Sequence, residues 1–145
     1  VTVDLQKLDA DLKIDEGFES YPYDDKTEKR IVKGDTIEGT ATFGYGFTFL
    51  TEEESAVVLS MRSKKTADAV LARFPWAAGL SEARQRALTD MAYNLGVAGL
   101  ASFNTFMGMM EADQFEEAAD DLKTTKWYQE VGSRAVRIEA LIRNG

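Results

Sequence analysis

The chain has 145 residues, 44% of them hydrophobic and 10% aromatic, enough for one compact domain with an apolar core. It contains no cysteine and no histidine, which excludes disulfides, thiol nucleophiles, zinc sites of the Cys/His type, Ser-His-Asp triads and any histidine base. Its 17 basic and 25 acidic residues give a net charge of -8, the wrong sign for a nucleic-acid binder.

Residues 1–60 hold 14 acids and 6 bases, whereas 61–145 hold 11 of each, so the whole excess lies in the first 60. No apolar run approaches the roughly 18 residues of a membrane span. The opening VTVDLQKLDADLK lacks the basic start and apolar stretch of a signal peptide, so the chain is expected in the cytoplasm at synthesis.

Leu5, Leu8 and Leu12 recur at helical spacing among polar residues, which predicts a short amphipathic helix ending near Gly17. From Tyr21 to Phe49 aromatic and β-branched residues are punctuated by Gly34, Gly39, Gly44 and Gly46, the texture of a small antiparallel sheet. Thr51 and Glu54 form a capping box that opens a long helix over about 52–73, with Pro75 as its stop. Its apolar positions are Ala56, Leu59, Ala67, Val70, Leu71 and Phe74. Ser81 is a plausible N-cap for a buried helix carrying Leu88, Met91, Ala92 and Leu95 and closed by Gly96. Beyond it, Phe103, Phe106, Met107 and Met110, then Phe115, Ala118, Ala119 and Leu122, then Val136, Ala140 and Leu141 mark short helices. The fold class is α+β: a small N-terminal lobe with a short sheet, a long connecting helix and a mainly helical C-terminal lobe. One domain, 1–145, is expected, with lobes at roughly 12–60 and 75–145 and residues 1–11 belonging to the second.

With histidine and cysteine absent, chemistry rests on carboxylates, hydroxyls and amines. Glu16 ends the first helix at the negative end of its dipole, an environment suited to a group that must donate a proton. Asp25 follows nine residues later in a more polar stretch. Two carboxyls in unlike environments are what glycoside hydrolysis requires. Taken singly, they are two among 25 acids and read as solvated surface charge. In ATFGYGFT, residues 41–48, Gly44 and Gly46 let backbone approach a ligand, and Thr42 offers a hydroxyl.

The order EGF (16–18), YDD (23–25), ATFGYGFT (41–48), AYNLG (92–96) and KWYQEVGSRAVR (126–137) resembles the phage-type lysozymes of glycoside hydrolase family 24, over about Leu12 to Ile142. The resemblance implies a lysozyme-like fold and an endolysin or muramidase that cuts peptidoglycan between N-acetylmuramic acid and N-acetylglucosamine with inversion. It assigns Glu16 as general acid and Asp25 and Thr42 as the groups that hold the attacking water. Thr48, Tyr93, Asn94 and Phe106 fall in the substrate-binding set, while Trp127 matches a core tryptophan. Arg134 matches an arginine that pairs with the catalytic glutamate, and Asp15 with Arg137 a second pair. The partner implied is the peptidoglycan glycan strand, met by a monomer with no cofactor, no metal, no nucleic acid and no membrane span.

The chain departs from that pattern in three ways: Phe47 stands where the family has histidine after GxG, an insertion runs from roughly Lys26 to Gly39, and the net charge is acidic. The insertion makes Asp24, Asp25 and Asp35 competitors for the second carboxylate. Asp25 is preferred for its interval from Glu16 and its Tyr-x-Asp context with Tyr23, and Asp24 is expected to point away and to be dispensable. The insertion is expected to lengthen the hairpin, with Ile31 and Val32 paired near Ile37. Two alternatives stay open: a lytic transglycosylase, which needs Glu16 but no water-positioning Asp25, and a non-catalytic wall-binding virion module on the same fold.

Overall fold

The computed structural model describes residues 3–145 and is α+β, with seven helices and one two-stranded antiparallel sheet among them. The chain divides into two compact units, Val1–Ala56 and Val57–Gly145.

In the first unit, helix α1 (Leu5–Glu16) starts at Asp4, whose carboxylate accepts from the Lys7 N–H at 3.3 Å. It stops at Glu16 because Gly17 adopts φ 66° and turns the chain away. Strands β1 (Glu19–Asp24) and β2 (Ala41–Gly44) pair antiparallel, with Tyr23 opposite Thr42 and Asp24 opposite Ala41. Among the described residues of this unit the buried ones are Asp24 and Thr42, one from each strand.

The insertion does not lengthen the hairpin by pairing with itself. It folds back along the other edge of β1: Arg30 bridges Tyr23, the Ile31 N–H donates to the Pro22 carbonyl at 2.8 Å, and the Asp24 N–H to the Lys29 carbonyl at 2.9 Å. Pro22 offers no N–H, but its carbonyl is free to accept, so a single donor from Ile31 suffices there. A tight turn diverts Val32 from Ile37. The Asp35 N–H donates to the Val32 carbonyl at 3.1 Å, and the Asp35 carboxylate accepts from the Val32 N–H at 2.8 Å.

Helix α2 (Glu52–Arg73) opens on the expected capping box. The Thr51 N–H donates to the Glu54 carboxylate at 2.8 Å, while the Glu54 N–H donates to the Thr51 hydroxyl at 3.2 Å. It ends before Pro75, which begins a 3-10 turn (Pro75–Gly79).

The second unit contains α3 (Glu82–Ala101), α4 (Asn104–Glu111), α5 (Phe115–Lys123), α6 (Lys126–Val131) and α7 (Ser133–Asn144). Ser81 caps α3 by accepting from the Arg84 N–H at 3.3 Å, and Gly96 breaks its helical path with φ 74° and ψ 159°. Leu88, Met91, Leu100, Phe106, Met110, Leu122, Ile138 and Ile142 are its largest fully buried core side chains beside Val70. Fully burying an aliphatic or aromatic side chain of this size stabilises by about 1.5–3 kcal/mol. In α7 the buried stripe is Ala135, Ile138 and Ile142, whereas Val136 is 53% exposed. The expected stripe of Val136, Ala140 and Leu141 is thus turned by one residue, since spacings of three and four from Ala135 carry the inward face. Arg84 ties the end of α7 down, donating to the Ile142 carbonyl at 2.9 Å and lying over the Phe115 ring.

Candidate active site

Glu16 is the last residue of α1, and the turn at Gly17 leaves its side chain free of the helix. Phe18, just beyond, packs its ring against Tyr45 with centroids 5.3 Å apart, which draws the end of α1 onto the turn after β2. That turn is closed by two 2.8 Å hydrogen bonds exchanged between Phe43 and Phe47. It needs glycine at both ends, as Gly44 has φ 61° and Gly46 φ 74°. The Glu16 carboxyl lies directly against Gly46, in the space that a Cβ on Gly46 would take. Phe47, in place of the family's histidine, packs against Gly44 and meets the Phe43 ring edge-on at 6.1 Å. It clamps the turn from the other side.

Strand register sets Asp25 opposite Thr40, two residues before Thr42. Tyr23 pairs with Thr42, and Asp25 exchanges backbone with Thr40: its N–H donates to the Thr40 carbonyl at 3.1 Å, and its carboxylate accepts from the Thr40 N–H at 2.7 Å. The carboxylates of Asp24 and Asp25 both lie against Gly39, in the space that a Cβ there would take, so Asp24 does not point away from Asp25 as expected. The Thr42 hydroxyl donates to the Thr40 carbonyl at 3.2 Å and keeps its lone pairs free to accept. Asp25 is exposed and Thr42 buried.

Asp24 has a role that spacing did not reveal. Its carboxylate accepts from four backbone N–H groups: Glu38 at 2.7 Å, Gly39 and Lys26 at 3.0 Å and Thr27 at 3.4 Å. Burial by itself would raise this carboxyl, but the N–H donors of Glu38, Lys26, Gly39 and Thr27 outweigh it and hold the group below the ordinary carboxylate value. Asp24 therefore ties both ends of the insertion to β1, a structural role that the sequence pattern did not indicate. A double aspartate beside Lys-Thr, ahead of a distant glycine, is the available signal for such an Asx turn. Asp35 is spent on its own turn with Val32.

In the second unit Tyr93 is 38% exposed, and Asn94 is exposed on the last turn before the Gly96 break. The indole N–H of Trp127 donates to the Asn94 side-chain oxygen at 2.8 Å. Since an indole can only donate, this fixes which way the amide faces and leaves the NH2 outward. Trp127 is buried against Phe103, in keeping with a packing role. Phe106 is wholly buried. It shares the inward stripe of α4 with Met107 and Met110, one and four residues on, so its ring offers no surface to a sugar and its expected place in the substrate set is corrected. Arg134 forms a 2.8 Å ion pair with Asp90, a residue that sequence patterning did not single out. Thr48 is exposed just beyond the Phe43–Phe47 bridge. No helix among the described residues is long and apolar enough to cross a membrane.

The family model of phage lysozyme matches residues 13–143, a stretch that includes Glu16, Asp25, Thr42, Tyr93 and Asn94. The pre-baseplate central spike protein Gp5 of Enterobacteria phage T4 is 39% identical over 66 residues, which is 46% of this chain and 12% of that protein. This chain thus spans only a small part of the length of that relative. With the family model covering nearly its whole length, the chain belongs to the phage lysozyme family.

Proposed function

We propose that the chain is an inverting muramidase that hydrolyses the β-1,4 bond between N-acetylmuramic acid and N-acetylglucosamine, acting as an endolysin made in the host cytoplasm. The observation that carries this reading is the Glu16 carboxyl held against the Gly46 turn, in a unit where Thr42 lies in β2 and Asp25 just beyond the end of β1. Glu16 delivers its proton to the glycosidic oxygen as the bond to the anomeric carbon breaks. A water attacks that carbon from the opposite face and passes its proton to Asp25, while Thr42 accepts a hydrogen bond from the same water. For this geometry the two carboxyls stand about 6.5–9.5 Å apart, against about 5–5.5 Å in a retaining site. Tyr93 stacks on a sugar, the Asn94 NH2 donates to an acetamido carbonyl, and Thr48 adds a hydroxyl contact.

The test is digestion of purified peptidoglycan by the wild type and by Glu16→Gln. Reducing-end products with inverted anomeric configuration, lost by about two to four orders of magnitude in the variant, are expected. Anhydro ends would assign the chain as a lytic transglycosylase, and retained activity in Glu16→Gln would remove Glu16 from the mechanism.

The T4 spike relative favours a second reading of context rather than chemistry: a lysozyme unit carried in a virion. Detection of the chain in purified particles supports that reading. Its presence only in the lysate supports the endolysin.

A further inference from the structure

The insertion contributes one side chain to the surroundings of Glu16. An open cleft of about 460 Å³ in the first unit is lined by Glu16, Phe18, Glu19, Tyr21, Glu28 and Arg30, among others. Three carboxylates and a single cation therefore face the same space. Arg30 is held there from two directions. Its backbone bridges Tyr23, flanked by the Lys29–Asp24 and Ile31–Pro22 hydrogen bonds, and its guanidinium carbon lies over the Tyr21 ring, 3.5 Å from the centroid.

The ring covers one face of the guanidinium and leaves the N–H edges for an acceptor. Among the described residues no carboxylate reaches ion-pair distance of Arg30, whereas Lys26, in the same insertion, is paired with Glu38. A pre-oriented fork of donors is suited to a planar carboxylate. The substrate supplies such groups: the peptide stems on muramic acid carry free carboxylates, whereas the lactyl carboxyl that bears each stem is tied up in an amide.

We propose that Arg30 is a specificity-determining residue that binds a stem-peptide carboxylate beside Glu16, so that this chain prefers glycan whose stems carry free carboxylates. The inference rests on the muramidase reading. Without Arg30 the same cleft would present only like charge to the stem. Tyr21 is the positioning residue, acting through the ring that holds the guanidinium.

The experiment compares wild type and Arg30→Met on two substrates, peptidoglycan with intact stems and the same peptidoglycan with its stem carboxylates converted to amides. On the stem-bearing substrate Arg30→Met should raise KM about ten-fold with kcat little changed, the loss expected for one charge-assisted contact. On the amidated substrate the two enzymes should be indistinguishable. Equal losses on both substrates, or no loss on either, overturn the proposal. A wild type that cleaves neither substrate defeats the muramidase reading itself, and the proposal falls with it.

Discussion

Glu16 and Gly46 are in direct contact: the carboxyl of the first occupies the place where a side chain on the second would begin. The glycine is thus required twice, for its φ of 74° and for the room that it leaves the acid. Gly46→Ala should lower wall lysis by about two orders of magnitude, since a displacement of about an ångström suffices to misplace a catalytic group. Gly34→Ala is the control. Its φ is 100°, but a Cβ there meets nothing within 4 Å, so it carries the backbone strain without the collision and should retain activity. Lysis rates beside thermal melts of both variants check this; equal losses would show that strain alone is at work.

Three aspartates near the turn separate by what their oxygens touch. Asp25→Ala should lose activity by orders of magnitude with little change in melting temperature, because its exposed carboxylate holds a single backbone N–H. Asp35→Ala should leave activity within a few-fold, as only the Val32 turn depends on it. Asp24→Ala should lower the melting temperature and open the 26–39 segment to proteases, four backbone donors being left without their acceptor. If Asp35→Ala is the inactive variant, the second carboxylate has been assigned to the wrong residue.

The acid response of the insertion follows from the same carboxylate. Asp24 titrates below its ordinary value of 3.8 in the folded chain. Its contribution is therefore fully present above the unfolded value and is lost as pH falls through the lower folded one. The amide protons of Glu38 and Gly39, which donate to it, should keep their NMR shifts from neutral pH to below 3.8 and then move together. Movement above that value would mean that the donors do not hold the charged form. In Asp24→Asn this titration should vanish.

How much of this was legible in the sequence depends on the range of the interaction. The Thr51–Glu54 box, the Ser81 cap and the Gly96 break involve residues at most three apart, and each stands where its pattern put it. Glu16 at a helix end before a glycine was readable for the same reason. The path of the insertion was not, since the partner of Arg30 is decided by an Asx turn at Asp24 and by clasps on Glu38 and Gly39, fourteen and fifteen residues away. Phe106 shows a different failure: its spacing with Met110 already marked a buried stripe, and the family correspondence was followed instead. Val136 was misread because α7 has apolar residues on more than one face, and only packing selects Ala135, Ile138 and Ile142.

The charge distribution bears on how the chain meets its wall. The entire excess of -8 lies in the first 60 residues, within the unit that holds Glu16, Asp25 and Thr42, whereas the remainder is balanced. Peptidoglycan with its stem carboxylates is itself anionic, so approach to the site runs against like charge at low salt. At physiological ionic strength screening shortens the reach of that repulsion to about 8 Å, while a contact at hydrogen-bond distance is weakened far less. The lysis rate should therefore rise from low to moderate salt, chiefly through KM, before falling as short-range pairs are also screened. Replacing Glu52 and Glu53, exposed in the first turn of α2, by glutamine should flatten the rise without touching kcat. A rate that only declines with added salt would show that net charge does not govern the encounter.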